Sequence, residues 1–169
     1  TYAFLKNFIP QLKIETTFVD ITSLDDIKNS IKPNTKIIYC EVSSNPLLEI
    51  ADLDEISKIA KKNNIKLVVD NTFTPLSISP AKYGADIVIH SLTKFINGTS
   101  DTIAGVVCSG KEFIHSLRDV NDGAFMLMGT TMDSLRAASV LKNMRTLHIR
   151  MKKHSENAMY LAESFEKDG

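Results

Sequence analysis

Polar side chains follow three apolar segments of the chain, each close to the point where the segment ends. The segments are 36–42, 65–70 and 86–90, and the polar residues are Asn45, Asp70, Ser91, Thr93 and Lys94. In open α/β sheets, ligands bind beyond the carboxyl ends of the strands. The sequence therefore predicts a single polar site that combines an amide, a carboxylate, two hydroxyls and an amine.

The types and spacing of these residues predict which kind of molecule the site could bind. Hydroxyls at Ser91 and Thr93, two residues apart in an extended stretch, point the same way and can bind one phosphate. A lysine at a buried strand end, such as Lys94, would be desolvated, which favours the neutral amine that forms a Schiff base with an aldehyde. Asp70 could hold a pyridine nitrogen protonated. Pyridoxal phosphate needs an anchoring amine, phosphate donors and an anion at its ring nitrogen.

Two stretches around these residues resemble the signature of the Cys/Met metabolism (trans-sulfuration) family, whose members depend on pyridoxal phosphate. They are VVDNTF at 68–73 and GADIVIHSLTKF at 84–95. The similarity continues through Gly98, Asp101, 104–105, 145–147, His154 and 157–158. The family includes cystathionine γ-synthase, the cystathionine lyases, methionine γ-lyase and O-acetylhomoserine sulfhydrylase.

The resemblance implies a role for each candidate residue. Lys94 would be the Schiff-base lysine, which also moves protons during elimination. Asp70 would pair with the pyridinium nitrogen, and Ser91 and Thr93 would bind the phosphate. Asn45 would lie near the phenolic oxygen of the cofactor and the carboxylate of the substrate.

The chain also departs from the family pattern. Thr99 stands where His or Gln is usual, Phe95 replaces a common Tyr, and 133–134 replaces Ser-Pro. The resemblance further implies a ring-stacking Tyr, an N-terminal arm and a C-terminal domain that this chain does not contain. We therefore expect residues 1–169 to be a truncated large domain that holds only part of the active site.

Composition excludes several other classes of protein. The 169 residues carry 20 Lys+Arg against 20 Asp+Glu, so no basic field would attract nucleic acid. No apolar stretch approaches the roughly 20 residues that span a bilayer. The histidines lack metal-binding spacing, so we expect no metal site. Cys40 and Cys108 lie in apolar runs and are expected to be reduced and buried in a cytoplasmic protein, although a pair stays open.

Apolar strands that alternate with amphipathic helices predict an α/β fold with a mainly parallel sheet and helices on both faces. The resemblance implies the large domain of a fold-type-I pyridoxal-phosphate-dependent transferase. Strands are predicted at 36–42, 65–70, 86–90 and 102–108. Helices are predicted at 24–31, 52–62 and 111–119, a helical turn at 80–83, and one long helix from about 133 to about 167.

The activity that the resemblance implies is β- or γ-elimination, or γ-replacement, on a sulfur-containing or O-activated amino acid. Methionine γ-lyase-like or O-acetylhomoserine sulfhydrylase-like activity is favoured. Two alternatives stay open: a catalytically incomplete cofactor-site domain that works only within the full-length oligomer, and another fold-type-I enzyme such as an aminotransferase. The expected partners are a small amino-acid substrate and further copies of the chain in a dimer of dimers, with neither nucleic acid nor membrane.

Overall fold

The computed structural model describes residues 1–168, whose centre is a four-stranded sheet in the order β1-β2-β3-β4. The strands are β1 (Ile37–Glu41), β2 (Lys66–Asp70), β3 (Ile87–Ser91) and β4 (Gly105–Ser109). The first three strands are parallel, and β4 runs antiparallel to β3. The prediction of a mainly parallel sheet is confirmed, and its three parallel strands place their carboxyl ends at one edge.

The helices cover the sheet and connect its strands. They are α1 (Leu24–Ser30), α2 (Leu53–Lys62), α3 (Lys111–Arg118), α4 (Ala124–Leu127), α5 (Ser134–Met144) and α6 (Leu147–Asp168), with short helical turns at Phe4–Phe8, Ile9–Leu12, Pro80–Tyr83 and Leu92–Ile96. We call Leu92–Ile96 the Lys94 turn. Within residues 1–168, no helix combines the length and apolar character needed to cross a membrane.

Helix α2 shows how the local sequence produces an element that packs on the sheet. The Asp52 side chain caps its first turn by accepting from the Glu55 N–H at 3.1 Å. The apolar positions of α2 recur at helical spacing and are buried against the strands. This core joins α2 to β1 and β2 through Cys40, Val42, Ile56, Leu67 and Val69, among others. Val68, between two of those residues in β2, is buried on the opposite face.

A second buried cluster connects the Lys94 turn to the last two helices. Its members are Leu92, Ile96, Val140, Leu147 and Met151, with Ala104 and Val106 packed beside them. Burial of this apolar surface fixes the turn against α5 and α6, because separating the elements would expose the surface to water. The first cluster therefore packs the sheet against α2, and the second packs the Lys94 turn against α5 and α6.

The long helix expected from about 133 to about 167 is divided in two. Helix α5 ends at Met144 and α6 begins at Leu147. The carbonyl of Asn143 accepts from the Thr146 N–H at 3.3 Å, from the Thr146 hydroxyl at 3.1 Å and from the Arg150 guanidinium at 3.3 Å. These donors replace the regular helical bonding at this point, so the chain forms a tight turn there.

The two cysteines differ in exposure, contrary to the expectation that both are buried. Cys40 is buried in β1, whereas Cys108 is exposed in β4, and neither forms a disulfide. Strand β4 is the outermost strand of the sheet, so one side of it has no neighbouring strand among the described residues. The apolar run around Cys108 indicates a strand correctly, but it does not reveal that the strand is an edge strand.

Residue Ile56 provides a direct test of the core beneath α2, because its side chain is completely buried. We expect Ile56→Ala to lower the free energy of unfolding by about 2–5 kcal/mol and Ile56→Val by only about 0.5–1.5 kcal/mol, since the cavity grows with the volume removed. The measurement is the urea unfolding midpoint of the full-length protein. Equal midpoints for the two variants would contradict the packing described here.

Candidate active site

The carboxylate of Asp70 is fixed by two donors at the end of β2. Its Oδ2 accepts from the Tyr39 hydroxyl at 3.0 Å, and its Oδ1 accepts from the Thr72 backbone N–H at 2.9 Å. Burial raises the pKa of Tyr39 well above its usual value, and the negative charge of Asp70 adds to the effect. Tyr39 therefore stays protonated and can donate to the carboxylate across the physiological pH range.

The ends of β2 and β3 are joined beyond the last paired residues of the strands. The Asn71 N–H donates to the Ile89 carbonyl at 2.8 Å, and the Ser91 N–H donates to the Thr72 hydroxyl at 2.7 Å. These bonds continue the parallel pairing in which Asp70 lies beside Ile89. Ser91 is therefore held next to the loop that follows Asp70.

The buried side chain of Asn71 holds the loop that follows Asp70 in place. The Asn71 side chain donates to the Ile78 carbonyl at 3.0 Å and accepts from the Thr74 hydroxyl at 2.6 Å. The Asn71 carbonyl lies 3.0 Å from His90 Nδ1, and because a carbonyl can only accept, that nitrogen carries a proton. Burial lowers the pKa of His90, against the opposing effects of the Asn71 carbonyl and the Asp70 charge. The imidazole is therefore favoured in its neutral form.

The Lys94 turn follows β3 directly. It buries Leu92 and Ile96, and its backbone departs from helical geometry at Lys94, where φ is −90° and ψ is −122°. The prediction of one extended stretch through Ser91 and Thr93 is wrong, because β3 ends at Ser91 and Thr93 lies in the turn. The Thr93 hydroxyl donates to the Ala104 carbonyl at 3.2 Å and accepts from the Ala104 N–H at 2.9 Å. Lys94 is exposed in this chain. The expectation that Lys94 is desolvated is therefore wrong for residues 1–168, because the turn sends its apolar side chains, and not the lysine, into the core.

The structure brings four of the five candidate residues to the ends of β2 and β3: Asp70, Ser91, Thr93 and Lys94. Asn45 lies in the exposed loop after β1, where its N–H donates to Glu41 Oε2 at 3.2 Å. Glu41 pairs with Asp70 in the sheet, so Asn45 belongs to the same edge. No hydrogen bond joins Asn45 to the other four residues within the described part of the chain.

Neither Tyr39 nor Thr72 is among the site residues predicted from the sequence, although both donate to Asp70 in the structure. Tyr39 is a polar side chain in an apolar strand, two residues before Glu41, and this spacing places both on one face. The parallel register, in which Glu41 lies beside Asp70, then brings Tyr39 close to the carboxylate. A predicted register for β1 and β2 would have revealed this contact, whereas the residue types alone do not.

The residues at this edge carry the chemical groups that pyridoxal phosphate needs. Lys94 offers an exposed primary amine for an aldehyde, and Asp70 offers an anchored carboxylate for a protonated ring nitrogen. The side-chain hydroxyl of Ser91 can donate to a phosphate. The hydroxyl of Thr93 has a single proton, which is directed to Ala104, so it would have to exchange that partner to donate to a phosphate.

Comparison with known proteins places the chain in a family. The model of the family described as "Cys/Met metabolism PLP-dependent enzyme" matches residues 1–169. The chain belongs to this family. The resemblance carried by the stretches around Asp70 and Lys94 is thereby confirmed, and so is the fold, because solved structures of similar proteins superpose on nearly the whole chain.

Three relatives show how far the similarity extends. Methionine gamma-lyase of Arabidopsis thaliana is 41% identical over 165 residues, which cover 96% of this chain and 37% of that protein. The structure of cystathionine gamma-lyase from Lactobacillus plantarum, complexed with L-serine, matches with a TM-score of 0.89 and 29% identity, covering 98% of this chain and 43% of that one. A Campylobacter jejuni protein described as an O-acetylhomoserine (thiol)-lyase was solved with pyridoxyl-lysine monophosphate. It matches with a TM-score of 0.84 and 28% identity, covering 96% of this chain and 47% of that one.

The chain thus spans less than half of the length of each of these relatives. Their names cover three different activities within one family. Membership therefore establishes an enzyme family that depends on pyridoxal phosphate, whereas the substrate is a separate question.

The neutral state of His90 predicts a pH dependence of stability. Because burial lowers its pKa in the folded state, the unfolded chain binds the proton more tightly. The stability that neutral His90 contributes is therefore present above about pH 6.5 and is lost as the pH falls below that value. We expect His90→Asn, which keeps an N–H donor for Asn71 but does not titrate, to reduce the loss of stability between about pH 7 and about pH 5.5. The measurement is the urea midpoint of the full-length protein, and identical pH profiles for both proteins would contradict the assignment.

Proposed function

We propose that the full-length protein containing this chain catalyses β- or γ-elimination, or γ-replacement, on a sulfur-containing or O-activated amino acid. The observation that carries the proposal is the meeting of Asp70 and the Lys94 turn at the ends of adjacent parallel strands, in a chain that matches the family from 1 to 169. Within the family we favour methionine γ-lyase-like or O-acetylhomoserine sulfhydrylase-like activity. Relatives with both kinds of name are similar to this chain, which supports that choice.

In this proposal each residue has a defined task. Lys94 would anchor the cofactor through its Nζ, by condensation with the cofactor aldehyde and loss of water, and the same Nζ would be the base that accepts the α-proton of the substrate. Asp70 holds the proton on the ring nitrogen of the cofactor, helped by the two donors that keep its carboxylate in place. When bound, pyridoxal phosphate supplies the sink for the electrons that the α-carbon releases.

The other three candidate residues, Ser91, Thr93 and Asn45, bind the cofactor or the substrate and take no part in bond making or breaking. The Ser91 hydroxyl donates to the cofactor phosphate, and Thr93 joins it if its hydroxyl turns away from Ala104. Asn45 orients the phenolic oxygen of the cofactor and the substrate carboxylate from the loop after β1. Its exposed position supports access to a small molecule that enters from solvent.

The isolated chain is proposed to lack turnover of its own. Lys94 is exposed here, whereas the reaction requires a site closed to water. The chain also spans only 37–47% of the three relatives, so further groups of the full-length protein would complete the site.

We propose that the full-length protein works in the cytoplasm as a homo-oligomer on a small amino acid, without a nucleic-acid or membrane partner. The balanced charge of the chain supports the exclusion of nucleic acid.

Reduction of the full-length protein with borohydride, followed by peptide mass mapping, tests the lysine assignment. We expect a pyridoxyl adduct on the peptide that contains Lys94, none there in Lys94→Ala, and the unchanged adduct in Lys82→Ala, which alters an exposed lysine elsewhere. An adduct on another lysine of the native protein, or full activity of Lys94→Ala, would remove Lys94 from its role.

The products of the same protein distinguish the reaction classes. Release of a ketoacid together with a thiol or ammonia indicates elimination, and formation of a thioether or thiol amino acid from an O-activated substrate indicates replacement. Transfer of the amino group to a second ketoacid, with neither thiol nor ammonia released, would instead indicate an aminotransferase and would overturn the proposed reaction.

Substitution of Asp70 tests the charge at the ring nitrogen. We expect Asp70→Asn to keep the trapped adduct on Lys94 but to lower kcat on the order of 10²–10³-fold, because the neutral amide no longer stabilises the charge that develops in the ring. Asp54→Asn, an exposed aspartate in α2, is the matched control and should leave kcat unchanged. Native turnover in Asp70→Asn would show that the carboxylate has a different task.

A further inference from the structure

One guanidinium contacts the backbone on the carboxyl side of the reactive lysine. Arg150, half-buried in α6, donates through Nη1 to the Phe95 carbonyl and through Nη2 to the Ile96 carbonyl at 3.0 Å. The same Nη2 reaches the Asn143 carbonyl at 3.3 Å, and Nε reaches the Thr146 hydroxyl at 3.1 Å. Within residues 1–168 no carboxylate pairs with Arg150, so the guanidinium is directed entirely to carbonyl and hydroxyl oxygens.

The two carbonyls that Arg150 contacts need an outside donor. The Lys94 turn ends almost at once, with the Asn97 N–H bonded to the Leu92 carbonyl and the Gly98 N–H bonded to the Lys94 carbonyl. The Phe95 and Ile96 carbonyls therefore lie at a helical C-terminus, where a cation is the favoured partner. The planar fork of arginine suits two adjacent carbonyls better than the point charge of lysine.

Gly98 leaves room for the Arg150 guanidinium because it has no side chain. A Cβ atom placed on Gly98 would lie 2.3 Å from Arg150 Nη1, and Gly98 has φ +77°, which side chains rarely adopt. From the next turn of α6, the His154 ring packs edge-on against Phe95 at 5.7 Å, and Phe95 contacts Phe73 at 5.6 Å. Helix α6 thus contacts Phe95, the residue that follows Lys94, through a hydrogen bond to its carbonyl and through ring packing.

We propose that Arg150 is a positioning residue that sets the direction of the Lys94 amine. The guanidinium holds the backbone just after Lys94, while Thr93 is bound to Ala104 just before it. Lys94 is thus the exposed residue between two fixed points, and its amine is pre-oriented before it meets an aldehyde. This inference rests on the proposed function, because it assigns Arg150 a part in the reaction of Lys94.

The test measures how fast Lys94 reacts, separately from turnover. The full-length protein is stripped of cofactor, mixed with pyridoxal phosphate and reduced with borohydride at successive times, and the adduct on the Lys94 peptide is quantified per folded molecule. We expect Arg150→Met to slow adduct formation about 10- to 100-fold, since a small misplacement of a reacting group costs about that much. Arg150→Lys, which retains the charge but can reach fewer carbonyls, should fall between Arg150→Met and the native protein.

Lys152→Met is the matched control, because it removes an exposed cation from the same helix. Its adduct should form at the native rate. A purely structural role for Arg150 would lower the thermal midpoint without slowing the reaction of the molecules that remain folded. An unchanged rate in folded Arg150→Met overturns the proposal, and if that variant does not fold, an unchanged rate in Arg150→Lys overturns it equally.

The same experiment separates this inference from the proposed function. If the native protein forms no adduct on Lys94, the proposed function fails and the positioning role fails with it. If the native protein forms the adduct and the Arg150 variants form it equally fast, only the positioning role is wrong. Slower formation in the Arg150 variants, with Lys152→Met unaffected, supports both.

Discussion

The parallel pairing of β2 with β3 is the constraint on which the candidate site depends. Asp70 ends one strand and the Lys94 turn begins where the other ends, so only this pairing brings a carboxylate and an amine to the same edge. The Asn71–Ile89 and Ser91–Thr72 hydrogen bonds extend the pairing past both strands. The contact between Asp70 and Tyr39 depends in turn on the pairing of β2 with β1, because a one-residue shift of that register would turn Asp70 to the opposite face of the sheet.

The rest of the structure holds this edge in place from distant parts of the chain. Tyr39 reaches Asp70 from β1, Ala104 binds Thr93 from the residue before β4, and Arg150 binds the Lys94 turn from α6. Each contact uses a polar group of the edge that is partly shielded from water, where an unmade hydrogen bond is costly. The site is therefore a product of tertiary packing, even though its reactive residues are close together in the sequence.

The sequence predicted the elements whose signals are local. Apolar runs located the strands, the spacing of apolar residues located α2, and the polar residues at and just beyond the ends of β2 and β3 located the edge where they meet. Three features were beyond such signals because they depend on contacts between distant residues. The break between α5 and α6 follows from side chains that bind the Asn143 carbonyl, the exposure of Cys108 follows from its edge strand, and the exposure of Lys94 follows from the way its turn packs.

In the proposed function, Asp70 and Lys94 act on opposite parts of one bound cofactor. A crystal structure of the full-length protein with added pyridoxal phosphate would show whether they do. We expect electron density continuous from Lys94 Nζ to the cofactor and a hydrogen bond between the Asp70 carboxylate and the ring nitrogen. Cofactor bound elsewhere, or bound at Lys94 with its ring nitrogen facing a group other than Asp70, would contradict the proposal.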